Sequence, residues 1–179
     1  MRFRFPLLAL GLLACSELLS VDIEDRASTV VEGAGALGGV LGVLQLAGWD
    51  GLSVTVEDEL ANQGVAKGDL VSAQLTALVL SSPDGELDFL TRIDVYVESP
   101  GVEKVRLAYA DEVPDGATTL ALTLEDVDLV PYIEAESLAI TTSAEGVAPV
   151  EDTTVDANLA LTVTATPRGA CNAAGQAAR

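Results

Sequence analysis

Apolar and polar residues alternate with a period of two through most of this chain, and that pattern limits its fold more than any other feature. Val21 and Ile23 alternate with Asp22 and Glu24, and Leu52, Val54 and Val56 with Ser53, Thr55 and Glu57. Val71, Ala73, Leu75 and Val79 mark one face of a run ending at Ser81. Ile93, Val95 and Val97 stand against Asp94, Tyr96 and Glu98, and Val105, Leu107 and Tyr109 against Lys104, Arg106 and Ala108. Leu120, Leu122 and Leu124 follow, then Leu138 and Ile140, then Leu159, Leu161 and Val163. Successive strand side chains point to opposite faces, so each run predicts a strand buried on one side.

Turn chemistry punctuates these runs. Asp50-Gly51, Ser82-Pro83-Asp84-Gly85, Ser99-Pro100-Gly101 and Pro114-Asp115-Gly116 all join residues that reverse a chain easily. The runs on either side of Ser82–Gly85 are expected to form a hairpin or adjacent strands. Residues 57–69 read as a loop or one helical turn. Asp126–Ile133 reads as a short helix, capped by Asp128, with Pro131 in its first turn. Ala144–Asp152 reads as a loop. The result is seven or eight strands with no long crossover helix to link parallel neighbours. The expected architecture is all-β: an antiparallel β-sandwich, immunoglobulin-like, with a small β-barrel as the alternative.

Gly33–Trp49 breaks the pattern. It carries no charge, and six glycines interrupt its leucines and valines. Val40, Leu41, Val43, Leu44 and Leu46 fit a short apolar helix or a bulged strand, in a buried connector or a patch facing lipid or a partner.

Aromatics make up only 4% of the chain, so the core must be built from Val, Leu, Ile and Ala. The formal charge is −19, from 28 acidic and 9 basic residues. Phosphate backbones are recognised by Lys and Arg, so this balance argues against nucleic acid as a partner. A solvated acidic coat, or capture of cations or basic partners, remains.

The first 14 residues have the three parts of a secretory signal. Arg2 and Arg4 form a basic start, and Pro6–Ala14 is an uncharged, leucine-rich run. That run is far shorter than the roughly 20 residues needed to span a bilayer. It ends in Leu12-Leu13-Ala14-Cys15, which resembles the lipobox of bacterial lipoprotein signals, with leucine at −3, a small residue at −1 and cysteine at +1. The resemblance implies cleavage before Cys15, diacylglycerol on its sulfur and often an acyl chain such as palmitate on its new amino terminus. Ser16, in place of the Asp that retains many such proteins at the inner membrane, implies sorting to the outer membrane. Losing Arg2 and Arg4 and no acid would take the charge from −19 to −21. Cys171, the other cysteine, would then lack an intramolecular partner.

Most chemistry is disfavoured. The chain has no histidine, which removes Ser-His-Asp and Cys-His catalysis and the usual zinc and iron ligand sets. No glycine spacing matches a phosphate-binding loop or a dinucleotide fingerprint. Carboxylates are the abundant functional group, and Glu125, Asp126 and Asp128 form the best calcium candidate, without EF-hand spacing. A glycosidase acid pair is weakened by the few aromatics, Trp49, Tyr96, Tyr109 and Tyr132, available to stack on a sugar.

The expected organisation is a signal over 1–14, a lipidated tether over 15–20, a sandwich over 21–166 and a flexible tail over 167–179. The expected role is a non-enzymatic binding or structural accessory function, held by the lipid at the membrane of the bacterial envelope. It needs no cofactor and acts with an envelope protein as possible partner. The alternative is a cation-dependent hydrolase, or a calcium- or ligand-binding protein, using acidic loops.

Overall fold

The alternating runs assemble into two antiparallel sheets. The computed structural model describes residues 19–35, 41–44, 58–62, 65–135 and 137–168. Its strands are β1 (Leu19–Val31), β2 (Leu41–Leu44), β3 (Leu70–Ser81), β4 (Leu90–Ser99), β5 (Val102–Ala110), β6 (Thr119–Ala121), β7 (Thr123–Leu124), β8 (Ala139–Val147) and β9 (Thr153–Ala165). One sheet has the order β1-β9-β3-β6 and the other β2-β8-β4-β5-β7. Residues 58–62 form a short helix, α1, and Val130–Glu134 a second, α2. The expected antiparallel β-sandwich is therefore what forms, and each sheet keeps two edges rather than closing into a barrel.

Among the described residues the expected seven or eight strands stand as nine segments, because the run 119–124 divides between the sheets. β6 pairs with β3 and β7 with β5. Between them the Leu122 N–H donates to the Leu78 carbonyl at 2.9 Å, and its buried side chain fills the crossing point. Taken as one arm, β6 and β7 complete a nested set of pairs: β4 with β5, β3 with β6, β2 with β8, and β1 with β9. This is one long antiparallel hairpin rolled into two layers, the connectivity of a jelly roll. It differs from the expected immunoglobulin-like order, in which the first two strands are neighbours in one sheet. Here β1 and β2 lie in different sheets.

The same topology corrects the expected hairpin across Ser82–Gly85. β3 and β4 belong to opposite sheets, so this turn carries the chain across the sandwich. A local hairpin does form at Ser99-Pro100-Gly101-Val102, where Ser99 pairs with Val102. Gly101 has φ +79°, the left-handed conformation that the third residue of a type II turn requires after proline.

Bulges shift the phase of the alternation. In β3, register shifts against β9 lie between Leu70 and Ser72 and between Leu75 and Ala77. The buried side chains are consequently Leu70, Ala73, Leu75, Leu78 and Leu80, while Val71 is exposed and Val79 half-buried. The single expected face of Val71, Ala73, Leu75 and Val79 does not exist. In β5, Val95 faces Ala108 and Tyr96 faces Arg106, so Leu107 is the extra residue. Leu107 and Ala108 are both buried, and Tyr109 moves from the expected Val105 face to the Arg106 face. One added residue in a strand has this effect, because the faces alternate one by one.

Two expected boundaries also change. β8 runs to Val147, through the region expected as a loop from Ala144, and pairs there with both β2 and β4. β1 starts at Leu19, two residues before the expected Val21. Within Gly33–Trp49, residues 41–44 are strand rather than helix. The strand expected around Leu52–Val56, most of the tail, Cys15 and Cys171 lie outside the described residues.

The core between the sheets is aliphatic, as the composition demands. Leu80, Leu87, Leu90, Ile93, Val95 and Val97 are almost wholly inaccessible, with Leu60 from α1 and Ile133 from α2 packed at the margins. The interior space lined by Leu75, Val97, Ile133 and Leu161 amounts to only about 30 Å³. A small-molecule site normally needs several hundred, so this space among the described residues is too small for a ligand.

Candidate functional site

The densest polar constellation lies on the outer face of the β8-β4-β5-β7 sheet. Alternation along β4 sends Arg92, Asp94, Tyr96 and Glu98 outward while Ile93, Val95 and Val97 enter the core. The bulge at Leu107 brings Arg106 opposite Tyr96 and Tyr109 opposite Asp94. Just past β7, the Glu125 N–H donates to the Leu107 carbonyl at 2.8 Å and sets Glu125 beside the same strand.

Asp94 is the hub. It accepts from Arg92 Nε at 2.9 Å and from Arg106 Nη1 at 3.0 Å, and it is only 6% exposed. Arg106 also donates to Glu125 through Nη2 at 2.7 Å and Nε at 3.2 Å. Its guanidinium lies 4.0 Å from the centre of the Tyr109 ring. Beside this group, Lys104 pairs with Glu98 at 3.5 Å and covers the Tyr96 ring. Burial pushes the Asp94 carboxyl up, but the hydrogen bonds and charges of Arg92 and Arg106 outweigh it and hold the group below its ordinary value. Arg106 is raised, by the Glu125 hydrogen bond first and the Asp94 bond second.

A carboxyl depressed in the folded state stabilises the fold above the unfolded value, near pH 4, and loses that contribution as pH falls through the folded value. Asp94→Asn is therefore expected to cost about 1–3 kcal/mol near pH 7 and less at about pH 2. Urea unfolding of both proteins at the two pH values measures this. An equal deficit at both would contradict the charge-pair account.

The other sheet carries a smaller counterpart. On its outer face Arg26 of β1 forms an ion pair with Asp156 of β9, which is 4% exposed. The Ser28 hydroxyl, and then Arg26, hold the Asp156 carboxyl below its usual range against the opposing effect of burial. Nearby, Ala77 and Ala160 face each other across the sheet and leave an open groove of about 470 Å³, edged by Glu24, Arg26, Val79 and Asn158. On the inward face of β1, Asp25 has Oδ2 buried without a hydrogen-bond partner, while Oδ1 accepts from the Arg26 N–H at 2.7 Å. An inward carboxylate on an edge strand discourages pairing with another chain.

The structure does not bring the calcium candidates together. Glu125 is bound to Arg106, and Asp126 Oδ1 accepts from Gln74 Nε2 at 3.3 Å. Asp128 Oδ1 accepts from the Ala73 and Val130 N–H groups, each at 3.2 Å, but it lies one residue before the N-cap of α2, Leu129, so the expected side-chain cap does not form. Pro131 occupies the first turn of α2, as expected. Among the described residues no three acidic or cysteine groups converge as a metal cage. Adjacency in sequence did not become convergence in space, because the chain passes between the sheets here. The sequence reading missed Asp94 and Arg106 as a pair; their opposite charges on alternating outward positions were the available signal, but the register joining them depends on the Leu107 bulge.

Tyr96 and Tyr109 each have a cation over the ring, and the Tyr132 hydroxyl donates to the Glu103 carbonyl at 2.6 Å. Their rings serve internal contacts. Chemically, the outer face is a mutually neutralised set of charges. It gives rigidity and solvation, and it presents no nucleophile with an adjacent base.

No known protein family and no curated protein matches this chain. Among solved structures, it has a likeness to the crystal structure of the 60-mer BFDV capsid protein, at 8% identity and a TM-score of 0.38, over 85% of this chain and 95% of that one. Among the described residues no helix is long and apolar enough to cross a membrane.

Proposed function

We propose that this protein is a lipid-anchored, non-enzymatic β-sandwich of the bacterial cell envelope, probed by partners through its polar faces and loops and serving a binding or structural accessory role. The observation that carries the reading is the succession of Leu12-Leu13-Ala14-Cys15 and a strand that starts at Leu19. A short apolar signal with a lipobox-like end leads almost directly into the folded domain. Diacylglycerol and an amide-linked acyl chain on Cys15 would together give lasting attachment, since each buried methylene adds about 0.8 kcal/mol and two or more chains hold where one does not.

Two further features support it. Outer faces covered by paired charges, and a chain of net charge −19, keep a tethered domain soluble. Among the described residues the charges around Asp94 neutralise one another, and the chain has no histidine, the commonest acid–base catalyst. The outer membrane is the proposed location, on the strength of Ser16 after the cysteine.

Expression of the full chain in a diderm bacterium with an alkyne-palmitate probe tests the proposal. The wild-type protein is expected to take up label and to sediment with membranes. Cys15→Ala is expected to lose all label and to accumulate as the uncleaved 179-residue precursor. Normal maturation of that variant would overturn the anchor.

A further inference from the structure

We infer that Asp25 is a gate on the open side of β1, placed so that this strand does not pair with β1 of a second copy of the chain. The gate is a property of the sheet and does not depend on a lipid anchor.

Among the described residues β1 has a neighbour on one side only, where its thirteen residues pair with β9 without a register shift. A strand this long and regular leaves a row of unpaired backbone groups on its other side, ready to take up a further strand. A second copy of β1, run antiparallel about a two-fold axis, is a self-complementary partner.

Two properties of β1 select one register for such a pair. Complete overlap of Leu19–Val31 with itself puts the axis through residue 25, the midpoint of the strand. Glu24 of each copy then faces Arg26 of the other, on the outer face, and opposite charges across strands attract. Moving the axis to Glu24 or Arg26 would set like charges directly opposite, and moving it to Ile23 would set Glu24 against Asp22.

Asp25 sits on the favoured axis. It shares the inward face with Val21 and Ile23 and lies opposite Leu159 of β9, so full pairing would bring two carboxylates face to face beside an aliphatic core. The backbone sharpens the conflict. The Arg26 N–H donates to Asp25 Oδ1 at 2.7 Å, which places it in the open row rather than in the β9 ladder. The alternation along β9 agrees. The Thr166 N–H turns to the Asp69 carbonyl beside β3, so Leu159 and the other odd residues of β9 bond to β1. Two copies would therefore meet at residue 25 as a non-hydrogen-bonded pair, with Cα atoms only about 4.5 Å apart. The same carboxylate occupies the Arg26 N–H that an incoming strand would need, while Oδ2 is buried without a partner. A buried oxygen with no hydrogen bond is a cost that an apolar residue here would avoid. What the fold gains is a closed edge.

The test uses the full chain in a Cys171→Ser background carrying Asp22→Cys and Ser28→Cys, two outward positions that face each other across the axis through residue 25. Within one chain they lie about 20 Å apart along the strand, far beyond the Cα separation of about 7 Å that a disulfide tolerates. Oxidation by copper phenanthroline is followed by mass analysis of the linked peptides, with circular dichroism to establish folding. Adding Asp25→Val is expected to raise linkage between positions 22 and 28 of two copies at least about tenfold over the parent. Asp25→Asn keeps an acceptor for the Arg26 N–H but no charge, and is expected to raise linkage at least about threefold; it decides the matter should Asp25→Val fail to fold. Equally strong linkage in the parent, or no rise in a folded variant, would overturn the gate. Links joining 22 to 22 or 28 to 28 would overturn the register.

Discussion

Replacing Gly146 by alanine is expected to destabilise the sandwich by about 3 kcal/mol and to lower its melting temperature by roughly 10 °C. Gly146 lies where β8 pairs on one side with Gly42 of β2 and on the other with Leu90 of β4. A Cβ at this position would stand 1.9 Å from the Phe89 carbonyl oxygen and 3.1 Å from Leu44 Cδ1. The first neighbour is backbone and cannot rotate aside. It also accepts the Val147 N–H at 2.8 Å, so relieving the clash moves the peptide that joins β8 to the start of β4. Phe89 and Leu90 are buried and would move with it. Thermal unfolding followed by circular dichroism measures the effect. A variant within 1 °C of wild type would show that the strands do not approach this closely.

The second large effect distinguishes two readings of β3. Leu80→Ala is expected to cost about 2–5 kcal/mol, because Leu80 is wholly inaccessible and its loss leaves a cavity in a close-packed core. Val71→Ala and Val79→Ala, at exposed and half-buried positions, are expected to cost about 0.5–1 kcal/mol at most. A strict period of two through Leu75 predicts the opposite for the second half of the strand, with Val79 inward and Leu80 outward. Urea midpoints for the three variants decide between them. A large cost at Val79 with a small one at Leu80 would place the bulge elsewhere.

That contrast shows what the sequence could and could not convey. Ile93, Val95 and Val97 were legible as a buried face, because β4 is unbroken across them and alternation translates directly into burial. Val79 was misplaced because a bulge adds one residue without leaving a turn signal, and everything beyond it changes face. The sandwich class was legible from many short alternating runs and no crossover helix. The strand order was not, because β1 pairs with β9 across more than a hundred residues and nothing local in Leu19–Val31 names that partner. The turn at Ser82–Gly85 was seen as a turn, yet a turn is equally compatible with a hairpin and with a passage between sheets.

The outer-face network was less legible than the core. Asp94 reads as a solvent-facing acid, and it is buried only because Arg92 and Arg106 close over it. Arg106 arrives from the neighbouring strand and Glu125 from beyond the sheet crossing, so the cluster is a product of register. The reverse holds for Glu125, Asp126 and Asp128. Their proximity in sequence suggested one site, and the backbone at the crossing sends them to Arg106, Gln74 and the start of α2.

The mass of the amino-terminal peptide, from protein isolated out of bacterial membranes, tests most directly the proposed anchoring of the jelly-roll body through Cys15. The prediction is a mature chain that begins at Cys15 and carries diacylglycerol in thioether linkage on the cysteine sulfur. A mature chain that begins elsewhere, or begins at Cys15 with a free thiol, would contradict it.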